Sequence, residues 1–129
     1  MQQLLMGRDK EFPLNSQLEG NAEELLRRVN GLLQDLLPLL HASGHPCLFK
    51  VSSGYRPGYY NTKAGGAKYS MHLVCGAVDI ADAGNILDSC ILKCPDLLQK
   101  WQLWLEHPNH TPGWVHLDIR SRPNHVFLP

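Results

Sequence analysis

The chain has no excess of charge of either sign: 12 Lys and Arg balance 12 Asp and Glu over 129 residues. A nucleic-acid binder would be expected to present a basic patch, so the neutral balance argues against that class. It also offers no general attraction to an anionic wall or membrane surface. Long apolar runs are missing too. No stretch approaches the roughly 18 apolar residues that suggest a membrane span. Met1 to Lys10 lacks the basic start and apolar run of a secretory signal. Cys47, Cys75, Cys90 and Cys94 do not show the paired Cys-x-x-Cys spacing of a structural zinc site. Each sits among apolar neighbours, so they read as four buried, reduced thiols, and a cytoplasmic location is the expectation. There is no internal repeat and no low-complexity segment.

What the chain does have is a 43% hydrophobic content, enough for one core, and a length that suits a single domain over residues 1–129. Residues 1–20 show no clear period and are expected to wrap the domain or form a loose N-terminal arm. Asn21 with Glu24 resembles a capping box. Leu25, Leu26, Val29, Leu32, Leu33, Leu36, Leu37 and Leu40 then recur at helical spacing, which predicts a helix over about 22–42, kinked near Pro38 and ended by Gly44 and Pro46. Such a stripe is core and carries no chemistry. Residues 48–53 alternate and read as a strand. Residues 54–69, rich in Gly, Tyr and Asn, read as a long loop of the kind that often carries function, with Gly65 and Gly66 permitting close approach to a ligand. A strand is expected over 74–80, a helix over 85–93, and a shorter helix beginning at Pro95. A strand over 102–106, a turn over 107–113 and a strand over 114–120 follow; the tail gives no signal. The sum is an α+β fold, a small antiparallel sheet with two to three helices.

Seven histidines occur, and two of them stand out. His72 precedes Asp79 by seven residues, and His116 lies far downstream in Gly-Trp-Val-His-Leu-Asp-Ile. Two imidazoles and a carboxylate make a three-ligand set that leaves the fourth tetrahedral position of a catalytic zinc open to water. Zinc lowers the pKa of such a water toward neutrality. The blander reading is chance proximity of packed or surface histidines. If 114–120 is a strand, His116 and Asp118 share a face, so Asp118 can orient an imidazole, act as a base, or pair at the surface with Arg120. Ser70 would share a face with His72 on an extended segment. His110, on the turn, is the weaker candidate for a proton donor.

The surrounding residues bear on the choice. Ser53 to Arg56, Asn61, Gly65 to Ala67, Ser70, His72, Ala77 and Asp79 stand in a register that resembles the zinc D-Ala-D-Ala carboxypeptidases and endopeptidases of the M15 class, in particular their short phage and bacterial branch. Trp114 to His116 is similar to the family's third-ligand strand. Gln102 to Glu106 is similar to the strand ending in its catalytic glutamate. The resemblance covers about residues 20–120. It implies a hedgehog-like fold, a zinc ion held by His72, Asp79 and His116, and Glu106 as the proton shuttle. It also implies hydrolysis of peptide bonds in peptidoglycan stem peptides, as in phage endolysins made in the host cytosol and released through a separate pore. On such a substrate, Arg56 can bind a terminal carboxylate in two-pronged fashion or stabilise an oxyanion. Ser70, Tyr55, Tyr59, Tyr60 and Asn61 can line the groove.

Three positions depart from the pattern. Cys75 stands where Gly is usual, Pro57-Gly58 replaces Ser-Pro, and Gly113 replaces an acid three residues before the second histidine. The last leaves the base open between Glu106 and Asp118. Carboxypeptidase and endopeptidase also remain open, since both use the same metal chemistry. A non-catalytic zinc-containing binding module, as in hedgehog domains, and a phage tail-associated protein are the alternatives. A monomer is expected.

Overall fold

The computed structural model describes residues 1–129. Its N-terminal segment is packed down rather than loose. Helix α1 (Gln2–Leu5) buries Leu4 and Leu5. The Leu4 carbonyl accepts the Tyr55 N–H at 2.7 Å. Gly54 lies so close that a Cβ there would collide with the Leu4 carbonyl.

Helix α2 spans Ser16–Ala42, so it starts earlier than the sequence led us to expect. Its cap is Asn15, whose side chain accepts the Leu18 N–H at 2.8 Å and satisfies one of the free donors of the first turn. Asn21 lies inside the helix and donates instead to the Val74 carbonyl at 3.0 Å. The stripe formed by Ala22, Leu25, Val29, Leu32, Leu36 and Leu40 is buried. Full burial of a leucine contributes about 1.5–3 kcal/mol, and summed over Leu25, Leu32, Leu36 and Leu40 this outweighs the cost of Gly20, Gly31 and Pro38 within the helix. The chain leaves the helix through Gly44 in the left-handed region, φ 79°.

Five strands form one sheet in the order β1-β2-β4-β3-β5: β1 (Val51–Ser53), β2 (Ala77–Ala81), β3 (Trp104–Glu106), β4 (Trp114–Asp118) and β5 (Val126–Phe127). Pairings β1–β2, β2–β4 and β3–β4 are antiparallel. The expected antiparallel sheet is extended by β5, which pairs parallel to β3 from the tail that had given no signal. Alternate side chains on the inner strands, Val78, Ile80, Leu105, Val115 and Leu117, join the core with the leucines of α2. That leaves the opposite face of the same strands for polar residues.

The remaining helices are α3 (Gly58–Lys63), α4 (Ile86–Lys93) and α5 (Pro95–Trp101). Helix α3 lies within the expected long loop. Asp82 caps α4 with both carboxylate oxygens, which accept from Leu87 N and Asp88 N at 2.9 and 3.0 Å. Asp35 of α2 holds α5 through Lys100 and the Trp101 indole, at 2.7 and 2.9 Å. The α+β expectation stands, with five α-helices rather than two or three. Of the cysteines, Cys75 and Cys90 are buried, whereas Cys47, in the loop between α2 and β1, and Cys94, at the junction after Lys93, are only half-buried.

Candidate active site

Sheet register builds most of the site. Asp79 of β2 is paired directly across from His116 of β4, and on its other side from Ser53 of β1. Strand β3 pairs Leu105 with Leu117, so continuing the register by one residue sets Glu106 beside His116. Glu106 is in turn paired with Phe127 of β5. Residues opposite one another in a sheet project from the same face. Asp79, His116, Glu106 and Phe127 therefore form a single row across the polar face.

His72 reaches this row from outside the sheet. The expected strand over 74–80 begins only at Ala77, because Met71–Val74 forms a 3-10 turn closed by Cys75 in the left-handed region, φ 60°. Ser70 caps that turn, its hydroxyl accepting the His72 N–H at 3.2 Å. Ser70 and His72 are thus related by a cap, not by the shared face of an extended segment. The Arg56 N–H donates to the His72 carbonyl at 2.9 Å, which ties the two loops together.

The ligand atoms of His72, Asp79 and His116 lie within 4.8 Å of one another. His72 Nε2 is 3.2 Å from Asp79 Oδ2, and His116 Nδ1 is 2.8 Å from Asp79 Oδ1. The outer ring nitrogens are both occupied: His72 Nδ1 lies 2.8 Å from the Gly54 carbonyl, and His116 Nε2 lies 2.9 Å from Asp118 Oδ2. Such bonds fix ring orientation and tautomer in histidine ligands. Two imidazole nitrogens and one carboxylate, with outer nitrogens already bonded, fit a three-ligand zinc site.

Charge inside the site follows from these contacts. Burial pulls the His116 pKa down, but hydrogen bonds to Asp118 and Asp79 outweigh it and raise the value to about 9. Burial pushes the Asp79 carboxyl up, and the bonds to His116 and His72 more than reverse this. Asp118 behaves likewise, with burial opposed and outweighed by His116 and Arg122. Glu106 differs: burial raises its pKa, the charge of His116 only partly offsets this, and no hydrogen bond enters the balance. A half-buried carboxyl with a raised pKa, held by no partner, is suited to passing protons.

A cleft of about 470 Å³ opens over this row, and Arg56, Ser70, His72, Asp79, Glu106, His116 and Asp118 all contribute to its lining. Arg56 reaches Ser70 Oγ at 3.4 Å through Nη2, while its Nε is buried without a partner. Tyr55 and Asn61, expected in the groove, are not in the lining. Tyr55 is buried and its hydroxyl donates to the Phe12 carbonyl at 3.2 Å. Asn61 is also buried, its amide donating to the Ala67 carbonyl at 2.9 Å. Both residues brace the loop that carries Arg56. Gly66 is needed for that bracing, since a Cβ there would strike the Asn61 side chain and lie 3.1 Å from Arg56 Nη2. Gly66 thus serves close packing of protein against protein, whereas Gly65 supplies a left-handed turn, φ 70°, with nothing within 4 Å of its Cβ position. Tyr59 is exposed and lies outside the cleft lining, as does Tyr60, whose hydroxyl lies 3.2 Å from a Glu11 carboxylate oxygen. His110 ends a short 3-10 turn and is likewise outside the lining.

Asp118 stands behind the His116 imidazole, as one of its expected roles required, but sequence reasoning missed the groups that hold Asp118 and the one that stands behind His72. Pairing with the Arg120 side chain at the surface was the blander alternative for Asp118, and the structure does not show it. Instead, Arg122 holds the carboxylate, and Arg120 gives only its backbone N–H at 3.0 Å while its guanidinium donates to the Tyr69 carbonyl. The Gly54 carbonyl was missed because a backbone atom has no letter in the sequence.

A larger groove of about 570 Å³ lies between α1, α2 and the β1–β2 edge; it is mostly apolar and has no His, Cys, Asp or Glu. The row and its cleft are where chemistry concentrates. With that geometry in place, comparison with known proteins gives one finding: residues 14–118 match the family model described as Peptidase M15. No curated protein and no solved structure matched the chain.

Proposed function

The chain belongs to the peptidase M15 family, and on that premise we propose that it is a zinc-dependent hydrolase of peptide bonds in bacterial peptidoglycan stem peptides. The observation that carries the reading is the row of Asp79, His116 and Glu106 across three strands, completed by His72. His72, Asp79 and His116 would hold the ion, His72 through Nε2 and His116 through Nδ1, since their other nitrogens are engaged. Bound there, zinc supplies Lewis acidity that polarises a carbonyl and makes water a better nucleophile at neutral pH.

Glu106 takes the proton released by the attacking water and returns one to the departing amine. Its raised pKa and lack of a tethering hydrogen bond support this role. Asp118 is the poorer base. It is fully buried, and both its oxygens are bonded to Arg122 or His116. Arg56 lines the cleft beside Ser70, and its guanidinium is the group that would meet a substrate carboxylate or a developing oxyanion. Ser70 keeps the His72 turn closed and shares the cleft with Arg56.

Mass spectrometry of purified muropeptides incubated with the protein, with and without a chelator, tests the proposal. Loss of a peptide bond that the chelator blocks and zinc restores is the expected result, and the released fragment separates carboxypeptidase from endopeptidase. Intact muropeptides after incubation with zinc-loaded protein would contradict it and favour the binding-module reading.

A further inference from the structure

We propose that Arg122 is a positioning residue of the metal centre, clamping Asp118 so that His116 is held with Nδ1 toward the ion. The inference rests on the zinc reading above. Asp118 is fully buried, in a place where an ionised carboxylate needs partners. Arg122 supplies them in fork geometry, Nη1 to Oδ1 at 2.7 Å and Nη2 to Oδ2 at 3.1 Å. That grip fixes the plane of the carboxylate and with it the direction in which Oδ2 meets His116 Nε2. A neutral imidazole whose Nε2–H is donated to Asp118 carries its lone pair on Nδ1, the nitrogen facing Asp79.

Arg122 is itself held in place. Its guanidinium carbon lies 3.5 Å from the centroid of the Phe127 ring, and its backbone carbonyl accepts the Trp104 indole N–H at 3.1 Å. Phe127 is fixed in turn by the β3–β5 pairing. The tail therefore does more than cover the sheet edge, because it delivers a planar cation to the carboxylate behind a metal-ligand histidine. Lys at this position would supply the charge without the fork. Arg122 lies beyond residue 118, where the family match ends.

Zinc affinity, measured by competition with a chromophoric chelator, tests this in wild type, Arg122→Leu, Arg122→Lys, Asp118→Asn and the Arg122→Leu/Asp118→Asn double variant. Arg122→Leu is expected to weaken zinc binding by about 10–100-fold, the usual range for partners of ligand histidines. Arg122→Lys should recover part of that loss. The double variant should match Asp118→Asn within about twofold, because Arg122 acts through Asp118 and the effects do not add. The visible absorption spectrum of the cobalt-substituted protein should shift in Arg122→Leu, a change that simple loosening of the tail would not cause. Wild-type zinc affinity in Arg122→Leu, full affinity in Arg122→Lys, or single losses that multiply in the double variant would each overturn the proposal. Should Arg122→Leu fail to fold, the Lys variant carries the same test. A wild-type chain that binds no zinc would take down the zinc reading itself; tight wild-type binding untouched by changes at Arg122 overturns this inference alone.

Discussion

The two histidines of the site are braced in opposite ways. Behind His72 stands a neutral backbone carbonyl, Gly54, held in place by the N-terminal helix packed against it. Behind His116 stands a buried carboxylate backed by an arginine from the C-terminal tail. The proposed proton carrier, Glu106, lies on the His116 side as well. One flank is therefore set by packing and the other by charge, and changes to them should report through different measurements. The packed flank should respond in stability, and the charged flank in metal affinity and turnover.

The largest expected effect falls on the charged flank. Glu106→Gln should retain zinc and fold while turnover on muropeptides drops by a factor on the order of 10²–10⁴. Asp118→Asn should act on the metal instead, weakening zinc by about 10–100-fold with a smaller direct effect on turnover of the loaded protein. Steady-state rates and zinc dissociation constants for both variants separate the two roles. Full activity in Glu106→Gln, with a zinc-loaded but inactive Asp118→Asn, would transfer the base to Asp118.

On the packed flank, Gly54→Ala should lower the stability of the metal-free protein by about 1–3 kcal/mol, the usual cost of overpacking. The added Cβ meets a backbone carbonyl that cannot rotate aside. Chemical denaturation in the presence of a chelator measures it. An unchanged midpoint would show that the N-terminal helix does not lock this flank.

The smallest effect concerns pH. Burial raises the Cys75 thiol, at the end of the His72 turn, from 9.0 to about 11. In the unfolded chain the thiol ionises near pH 9, while in the fold it stays protonated until about pH 11. The unfolded state therefore holds fewer protons over that window, and stability falls as pH rises through it. Cys75→Ala should flatten this alkaline decline relative to wild type. An identical decline in both proteins would remove Cys75 as its source.

The same contrast explains what could be read from the sequence. His72, Asp79, His116 and Glu106 could be singled out because each sits in a short stretch that resembles the family's, and sheet pairing then brings Asp79, His116 and Glu106 together while the 3-10 turn brings in His72. The leucines of α2 were legible by period, but its start was not. Asn21-Glu24 looked like a cap, whereas Asn15 is the residue whose side chain bonds a first-turn N–H. Strand β5 escaped because Val126–Phe127 is too short to show alternation and depends on β3 for its existence. Tyr55 and Asn61 were misplaced because an aromatic or amide in a loop reads the same whether it faces a ligand or braces the chain. Arg122 was invisible because its partner is decided by how the tail folds back, and Arg120 was nearer in sequence.

The account turns on one zinc site shared by these two flanks. Elemental analysis of protein prepared without added metal, for wild type, His72→Ala and His116→Ala, tests it most directly. About one zinc per wild-type chain is predicted from the single three-ligand set, with stoichiometric zinc lost in both variants. A full zinc complement in both variants would contradict the account.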